Sequence, residues 1–256
     1  MNTLPDDLIS KAQSLIAASR RPVVFSGAGV SKESGIPTFR DALEGLWAKY
    51  EPEELATPQA FERQPELVWN FYQHRRDTLK DCQPNPAHYA IAALERDKPE
   101  TIVITQNVDG FHQQAGNQNV IPLHGNIREN RCYYGCPGEW PQEAVPEGDT
   151  VPPRCPQCGE SSLRPNVVWF GEMLNPALME AAIEAVDQCD TFIIVGTSGA
   201  VQPAASLALK ALEEGKTVIE INPDATMYSE RATVFLPARA AQVLPLLILG
   251  GMERPC

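Results

Sequence analysis

The sequence predicts an α/β fold: a doubly wound parallel sheet with a small zinc-binding module and a helical insertion. Three observations predict it. Short, continuous apolar runs at 22–25, 101–105, 191–195 and 217–221 read as strands buried on both faces, and helical stretches separate most of them. Those runs end in glycine or polar residues, namely Gly27, Gln106, Gly196 and Asn222, at the strand ends where open α/β sheets bind ligands. Four closely grouped cysteines, Cys132, Cys136, Cys155 and Cys158, interrupt the pattern once.

The whole chain sets the bounds. At 256 residues it buries a substantial core, as one large domain or one domain with an insertion. The net charge of −12 and pI near 4.8 argue against nucleic acid as the main partner, while a basic peptide remains compatible. No run is long enough to span a bilayer. Residues 1–21 lack a signal peptide's apolar stretch, and Asp6 and Asp7 make them too acidic for a transit peptide. They read as a first helix, apolar at Leu8, Ile9, Ala12, Leu15 and Ile16, so the expected compartment is the cytoplasm. In that setting grouped cysteines favour metal ligation over disulfides, and Cys82, Cys189 and Cys256 have no partner in the sequence.

In chain order, the first strand runs into FSGAGVSKESGIPTFRD. Gly27 and Gly29 let backbone N–H groups approach a phosphate, and the turn is expected to lead toward a helix N-terminus that adds donors. The third glycine of the dinucleotide fingerprint would fall at Lys32 and is missing, so this stretch alone reads equally as an ordinary strand–turn–helix corner. The continuation through Gly35 and Pro37 to Phe39, Arg40 and Asp41 favours a ligand-covering loop, in which Arg40 could pair with a pyrophosphate. Residues 43–80 are aromatic-rich and helical, cut by prolines at 52, 58 and 65. Within them Tyr72 and Arg75, three apart, share a helix face; without context they read as a packed tyrosine beside a solvated arginine.

A helix at 86–95 leads into the strand at 101–105, which ends in Gln106, Asn107 and Asp109. Amide side chains there can bind a carboxamide or ribose, and Asn107 or Asp109 could equally cap a helix. His124 follows the short run 120–123 at the same sheet edge, which makes it a candidate base. Three residues separate the first cysteine pair and two the second, with eighteen between the pairs; four thiolates at this spacing hold zinc with no open position, so the metal is structural. A strand at 163–172, a helix at 176–188, the strand at 191–195 and its Gly196, Thr197, Ser198 and Gly199 follow. Glycine and hydroxyls at that strand end make a second place for phosphate or ribose. A helix at 204–214, the strand ending in Asn222, a short strand at 233–236 and a helix from about 240 finish the chain.

GAGVSKESGIPTFRD, TQNVDGFHQQAG, LHGN, the cysteine pairs, VVWFGE and GTSGAVQP occur in the order found in the sirtuin family, and the resemblance covers about 22–238. It implies a Rossmann-like NAD-binding domain at 1–41, 86–128 and 163–256, a helical insertion at 42–85 carrying acyl-pocket residues, and a zinc-binding module at 129–162. It implies removal of acyl groups from protein lysines with NAD consumed as co-substrate, giving nicotinamide, O-acyl-ADP-ribose and free lysine. Gly27, Ala28, Gly29, Phe39 and Arg40 would line the pyrophosphate and nicotinamide-ribose region. Gln106, Asn107 and Asp109 would hold the ribose and carboxamide pocket. Gly196, Thr197, Ser198, Asn222 and Ala238 would serve the adenosine half. His124 would be the general base that draws a proton from a ribose hydroxyl. Trp169, Phe170, Gly171 and Glu172, with the segment around Val201, would clamp a substrate peptide as an added strand.

Tyr72-x-x-Arg75 and the small Ala56 resemble the class III subgroup, which prefers succinyl, malonyl and glutaryl lysine. In it Arg75 would grip the distal carboxylate and Tyr72 would donate to it. The three-residue spacing of the first cysteine pair departs from the two common in the family. The implied partners are acylated-lysine proteins or peptides, with no direct nucleic-acid or membrane partner and a monomeric chain. Kept alongside are deacetylation as the main activity, ADP-ribosyl transfer to protein, a zinc-containing dehydrogenase and a zinc-ribbon binding module. The dehydrogenase would need a second, open metal site, and no second Cys/His cluster is evident.

Overall fold

The computed structural model describes residues 4–36, 47, 49–141 and 150–250. Helix α1 (Asp6–Ala18) leads to β1 (Pro22–Ser26), buried along its whole length. Helices α2 (Pro52–Leu55), α3 (Pro58–Arg63) and α4 (Pro65–Lys80) each begin with proline, whose missing N–H costs nothing in a first helical turn. Then come α5 (Pro86–Asp97), capped by the Asn85 side chain, β2 (Ile102–Thr105), α6 (Phe111–Ala115) and β3 (Val120–Pro122). The middle of the chain supplies β4 (Gly125–Cys132), β5 (Glu139–Pro141) and β6 (Leu163–Val167). The last third is α7 (Pro176–Gln188), β7 (Thr191–Val195), α8 (Ser206–Glu213), β8 (Thr217–Asn222), β9 (Val234–Pro237) and α9 (Ala240–Leu249).

Six strands form one parallel sheet in the order β3-β2-β1-β7-β8-β9. Successive strand residues point to opposite faces, and the core divides accordingly. Val24, Val103, Ile193 and Ile219 pack on one side against α1, α5 and α9. Phe25, Ile104, Phe192 and Ile194 pack on the other against α7 and α8. Apolar demand on both faces is why these strands read as continuous hydrophobic runs. The order reverses between β1 and β7, and the crevice beyond that reversal is where such sheets take ligands. The expected doubly wound sheet is therefore present.

A second, antiparallel sheet has the order β5-β4-β6. Residues 163–167, which the sequence suggests rejoin the large sheet, pair instead with β4 through Cys132–Leu163 and Arg131–Arg164. Arg164 and Asn166 sit among apolar residues in that strand and are themselves buried, so hydrophobic pattern alone could not choose the sheet. Helices α2, α3 and α4 pack as a separate cluster against Ile127, Val167 and Trp169. No helix among the described residues is long and apolar enough to cross a membrane.

Candidate functional site

At the reversal point the ends of β1 and β7 touch backbone to backbone. Gly27 N–H donates to the Val195 carbonyl at 3.0 Å and Gly29 N–H to the Gly196 carbonyl at 2.8 Å. A Cβ on Gly29 would lie 2.7 Å from the Gly196 Cα, and one on Gly27 would lie 2.7 Å from the Thr197 Cβ. Gly27 is extended (φ −125°), so close approach and not backbone freedom demands glycine there. The loop then continues as two three-residue 3-10 turns, Ala28–Val30 and Lys32–Ser34, where a helix start was expected. Phe39 and Arg40 lie outside the described residues.

The end of β2 joins this floor. Gln106 Nε2 donates to Thr197 Oγ1 at 2.9 Å, and Asn222 Nδ2 donates to the Thr197 carbonyl at 3.2 Å. Asn222 Nδ2 also donates to Glu220 at 2.8 Å, and Ala238 N–H donates to the Asn222 carbonyl at 3.1 Å. Thus Gln106, Gly196, Thr197, Asn222 and Ala238 stand together at the strand ends, with the Ser198 side of the turn exposed.

Ser31 organises the next layer. Its hydroxyl donates to Asp109 at 2.7 Å and accepts from Asn107 Nδ2 at 3.0 Å, while His88 Nε2 lies 3.3 Å away. The other Asp109 oxygen accepts from Phe111 N–H at 2.9 Å, so Asp109 supports α6 and faces Ser31 at once. Burial pushes the His88 imidazole down to about 4 against an opposing pull from Asp109, and pushes His112 down to about 3 with a smaller push from His88. Both rings are held neutral near pH 7.

His124 follows β3, and its Nδ1 lies 2.8 Å from the Gln106 carbonyl. A carbonyl only accepts, so Nδ1 carries the hydrogen and Nε2 keeps its lone pair. Burial lowers this pKa and the Gln106 contact opposes it in part, so the ring is neutral at physiological pH. A neutral histidine with a fixed tautomer and a free Nε2 can act as a base.

One cavity of about 350 Å³ collects part of this set, while Gly27, Gly29, Gly196, Thr197, Ser198, Asn222 and Ala238 are not among its lining residues. Ala28, Gln106, Asn107, Asp109 and His124 line it on the sheet side. Ala56, Tyr72, Arg75, Phe170, Gly171, Glu172 and Val201 line it on the other. Tyr72 is buried and accepts a hydrogen bond from Trp169 Nε1 at 3.0 Å. Arg75 lies over the Tyr72 ring, 5.8 Å from its centroid, and burial lowers its pKa while Tyr72 and Asp109 oppose that. Ala56 is buried, and its carbonyl accepts from Phe170 N–H at 2.9 Å.

Away from the cavity, Cys132, Cys136, Cys155 and Cys158 place their sulfurs within 4.8 Å of one another. Tetrahedral zinc with Zn–S bonds of about 2.3 Å needs sulfurs about 3.8 Å apart, and the Cys132–Cys158 pair stands at 4.0 Å. The four thiolates fit one structural zinc ion and leave it no open position. The longer first spacing does not prevent the cluster.

A model of the Sir2 family matches residues 27–203. The chain belongs to the Sir2 family. It is 48% identical over 241 residues to the NAD-dependent protein deacylase 1 of Pseudomonas aeruginosa, covering 91% of this chain and 95% of that protein. It is also 48% identical over 233 residues to the NAD-dependent protein deacylase 1 of Archaeoglobus fulgidus, covering 91% and 94%. The crystal structure of a Sir2 homolog–NAD complex superposes with a TM-score of 0.86 at 47% identity, covering 94% of this chain and 93% of that one. A Sir2 mutant bound to a deacetylated p53 peptide and 3′-O-acetyl ADP-ribose superposes with a TM-score of 0.82 at 31% identity, covering 95% and 98%. The sirtuin resemblance carried by the motifs is this family.

Sequence reasoning missed Ser31, although it lies inside the first motif, because nothing local says that its hydroxyl bridges Asn107 and Asp109. It also missed Arg164 and Glu220. Glu220 is wholly buried and accepts from Asn222, Thr226 Oγ1 (2.5 Å) and Ser229 Oγ (2.6 Å), which ties the loop after β8 to the strand end.

Proposed function

We propose that this chain removes acyl groups ending in a carboxylate, succinyl, malonyl or glutaryl, from protein lysines in preference to acetyl. The coarser activity stands on the family and its relatives: the chain is an NAD-dependent protein-lysine deacylase. The observation that carries the finer reading is a single cavity lined by His124, Asn107 and Asp109 and also by Tyr72, Arg75 and Ala56.

The glycine floor at the β1–β7 reversal suits a dinucleotide, because no side chain there obstructs a pyrophosphate. When bound, NAD supplies an ADP-ribosyl group as acyl acceptor, with nicotinamide as leaving group. Asn107 and Asp109, both tied to Ser31, fix the nicotinamide-ribose end, and Thr197 and Asn222 serve the adenosine end. Holding acyl oxygen and ribose in one geometry supplies much of the rate. His124 Nε2 accepts the ribose-hydroxyl proton, and the Gln106 carbonyl keeps its ring oriented. Burial lowers the Arg75 pKa, and a carboxylate that reaches its guanidinium gains a charge-assisted contact that an acetyl methyl cannot make. Ala56 leaves room for the longer chain.

The test incubates the purified chain with NAD and matched acetyl-, succinyl- and malonyl-lysine peptides and follows products by mass. The acidic acyl groups should leave faster, as O-acyl-ADP-ribose, and His124→Ala should cut turnover by roughly 10²–10⁴-fold. Faster acetyl removal would overturn the acidic-acyl reading. ADP-ribosylated peptide in place of O-acyl-ADP-ribose would point to transfer, and full activity of His124→Ala would remove the base from its role.

A further inference from the structure

The Tyr72 hydroxyl can accept hydrogen bonds, but it has one hydrogen to give. An indole N–H can only donate. Trp169 Nε1 stands 3.0 Å from the Tyr72 oxygen, so the acceptor side of that hydroxyl is already in use. Among the described residues no acceptor takes the Tyr72 hydrogen, although the residue is only 2% exposed and lines the cavity. We propose that Trp169 is a positioning residue for acyl recognition: by occupying the acceptor side of the Tyr72 hydroxyl, it makes that hydroxyl a dedicated donor to the substrate's terminal carboxylate. This rests on the acidic-acyl reading above and adds a residue to it.

The indole is held in place for that task. The Arg164 guanidinium stacks on its face, 3.3 Å from the ring centroid, and Phe61 lies against it at 5.3 Å. Arg164 is itself fixed by two contacts to Glu172, at 2.5 and 2.9 Å, and by the Val167 carbonyl at 2.8 Å. Glu172 closes the clamp by accepting the Trp169 backbone N–H at 2.7 Å. A buried donor without an acceptor is unfavourable until the right group arrives. A carboxylate satisfies it and an acetyl methyl does not, so the fixed polarity of Tyr72 discriminates by terminal charge. Arg75 adds attraction, whereas the Trp169–Tyr72 pair adds direction.

A double-mutant cycle tests this with Trp169→Phe and Tyr72→Phe, using kcat and KM on succinyl and acetyl peptides. Trp169→Phe should lower kcat/KM on the succinyl peptide by roughly 5–20-fold, mainly through KM, and so narrow the succinyl-over-acetyl ratio, because any loss of peptide clamping falls on both peptides alike while the loss of Tyr72 polarity falls on succinyl alone. In the Tyr72→Phe background the same change should narrow that ratio no further. Equal losses on both peptides, or the same loss in both backgrounds, would show that Trp169 only packs and would overturn the proposal. If the unaltered chain does not favour succinyl, the acidic-acyl reading falls and this falls with it. If it does favour succinyl and the two losses simply add, only the positioning role falls. Should Trp169→Phe fold poorly, 3-benzothienylalanine at position 169 keeps the bicyclic shape without the N–H. It should reproduce the selective succinyl loss, and unchanged selectivity would overturn the proposal.

Discussion

The two halves of the candidate site are held in different ways. At the dinucleotide end, β1 and β7 meet through main chain, with Gly29 against Gly196 and no side chain between them. At the acyl end, side chains remote in sequence hold one another: Trp169 with Tyr72, Arg164 with Glu172, and α4 against β6. A backbone contact leaves little to vary, which suits a ligand that stays the same from one turnover to the next. A side-chain contact can be exchanged one residue at a time, which suits the part of the site that selects among acyl groups.

The largest expected effect lies at the backbone end. Gly196→Ala puts a Cβ onto the Val30 amide and asks alanine to adopt φ near +60°, so stability should fall by about 2–4 kcal/mol. Urea unfolding reads this directly, and a midpoint like that of the unaltered chain would mean the strand ends are not locked. Next comes the acyl end, where Arg75→Met should lower kcat/KM for succinyl-lysine by roughly 10–100-fold and leave acetyl-lysine within about three-fold. Equal losses on the two peptides, with an early unfolding midpoint, would make Arg75 a support for the fold and erase the contrast.

The smallest effect is graded and concerns the buried histidines beneath the dinucleotide end. His88 and His112 have folded-state values of about 4 and 3 against an ordinary 6.5, so the unfolded chain binds more protons as pH falls through 6.5. Their stabilising contribution is present above that pH and is lost on the way down toward 4. The slope should reach about 1.4 kcal/mol per pH unit for each histidine. Denaturant midpoints between pH 7 and 5 should show it, and His112→Asn should make the slope shallower. A flat profile in the unaltered chain would mean that neither ring is held neutral by burial.

The same contrast explains what the sequence made visible. Gly27, Gly29 and Gly196 announce the backbone end, because close approach leaves a glycine signature next to each apolar run. The cysteine pairs are legible for a similar reason: each pair is local, and only its meeting with the other needs the fold. Ser31 and His88 are 57 residues apart, and Tyr72 and Trp169 are 97 apart, so no window of sequence contains either contact. Arg164 sits in a buried strand, where a charged residue reads as an interruption until its Glu172 partner and the Trp169 face are placed beside it. The turn after β1 misled for another reason. Propensity favours a helix after a strand and a glycine turn, but the backbone contact with Gly196 tightens this one into 3-10 turns.

The acceptor that orients His124 is the main-chain carbonyl of residue 106. Bases oriented by an aspartate can be disarmed at two positions, the base itself and its carboxylate partner. Here the second position does not exist as a side chain, since every amino acid at 106 carries the same carbonyl. Orientation of the base is inherited from the path of the chain between β2 and α6. Genetic drift at residue 106 can alter what touches Thr197, yet it cannot delete the group that sets the histidine's tautomer.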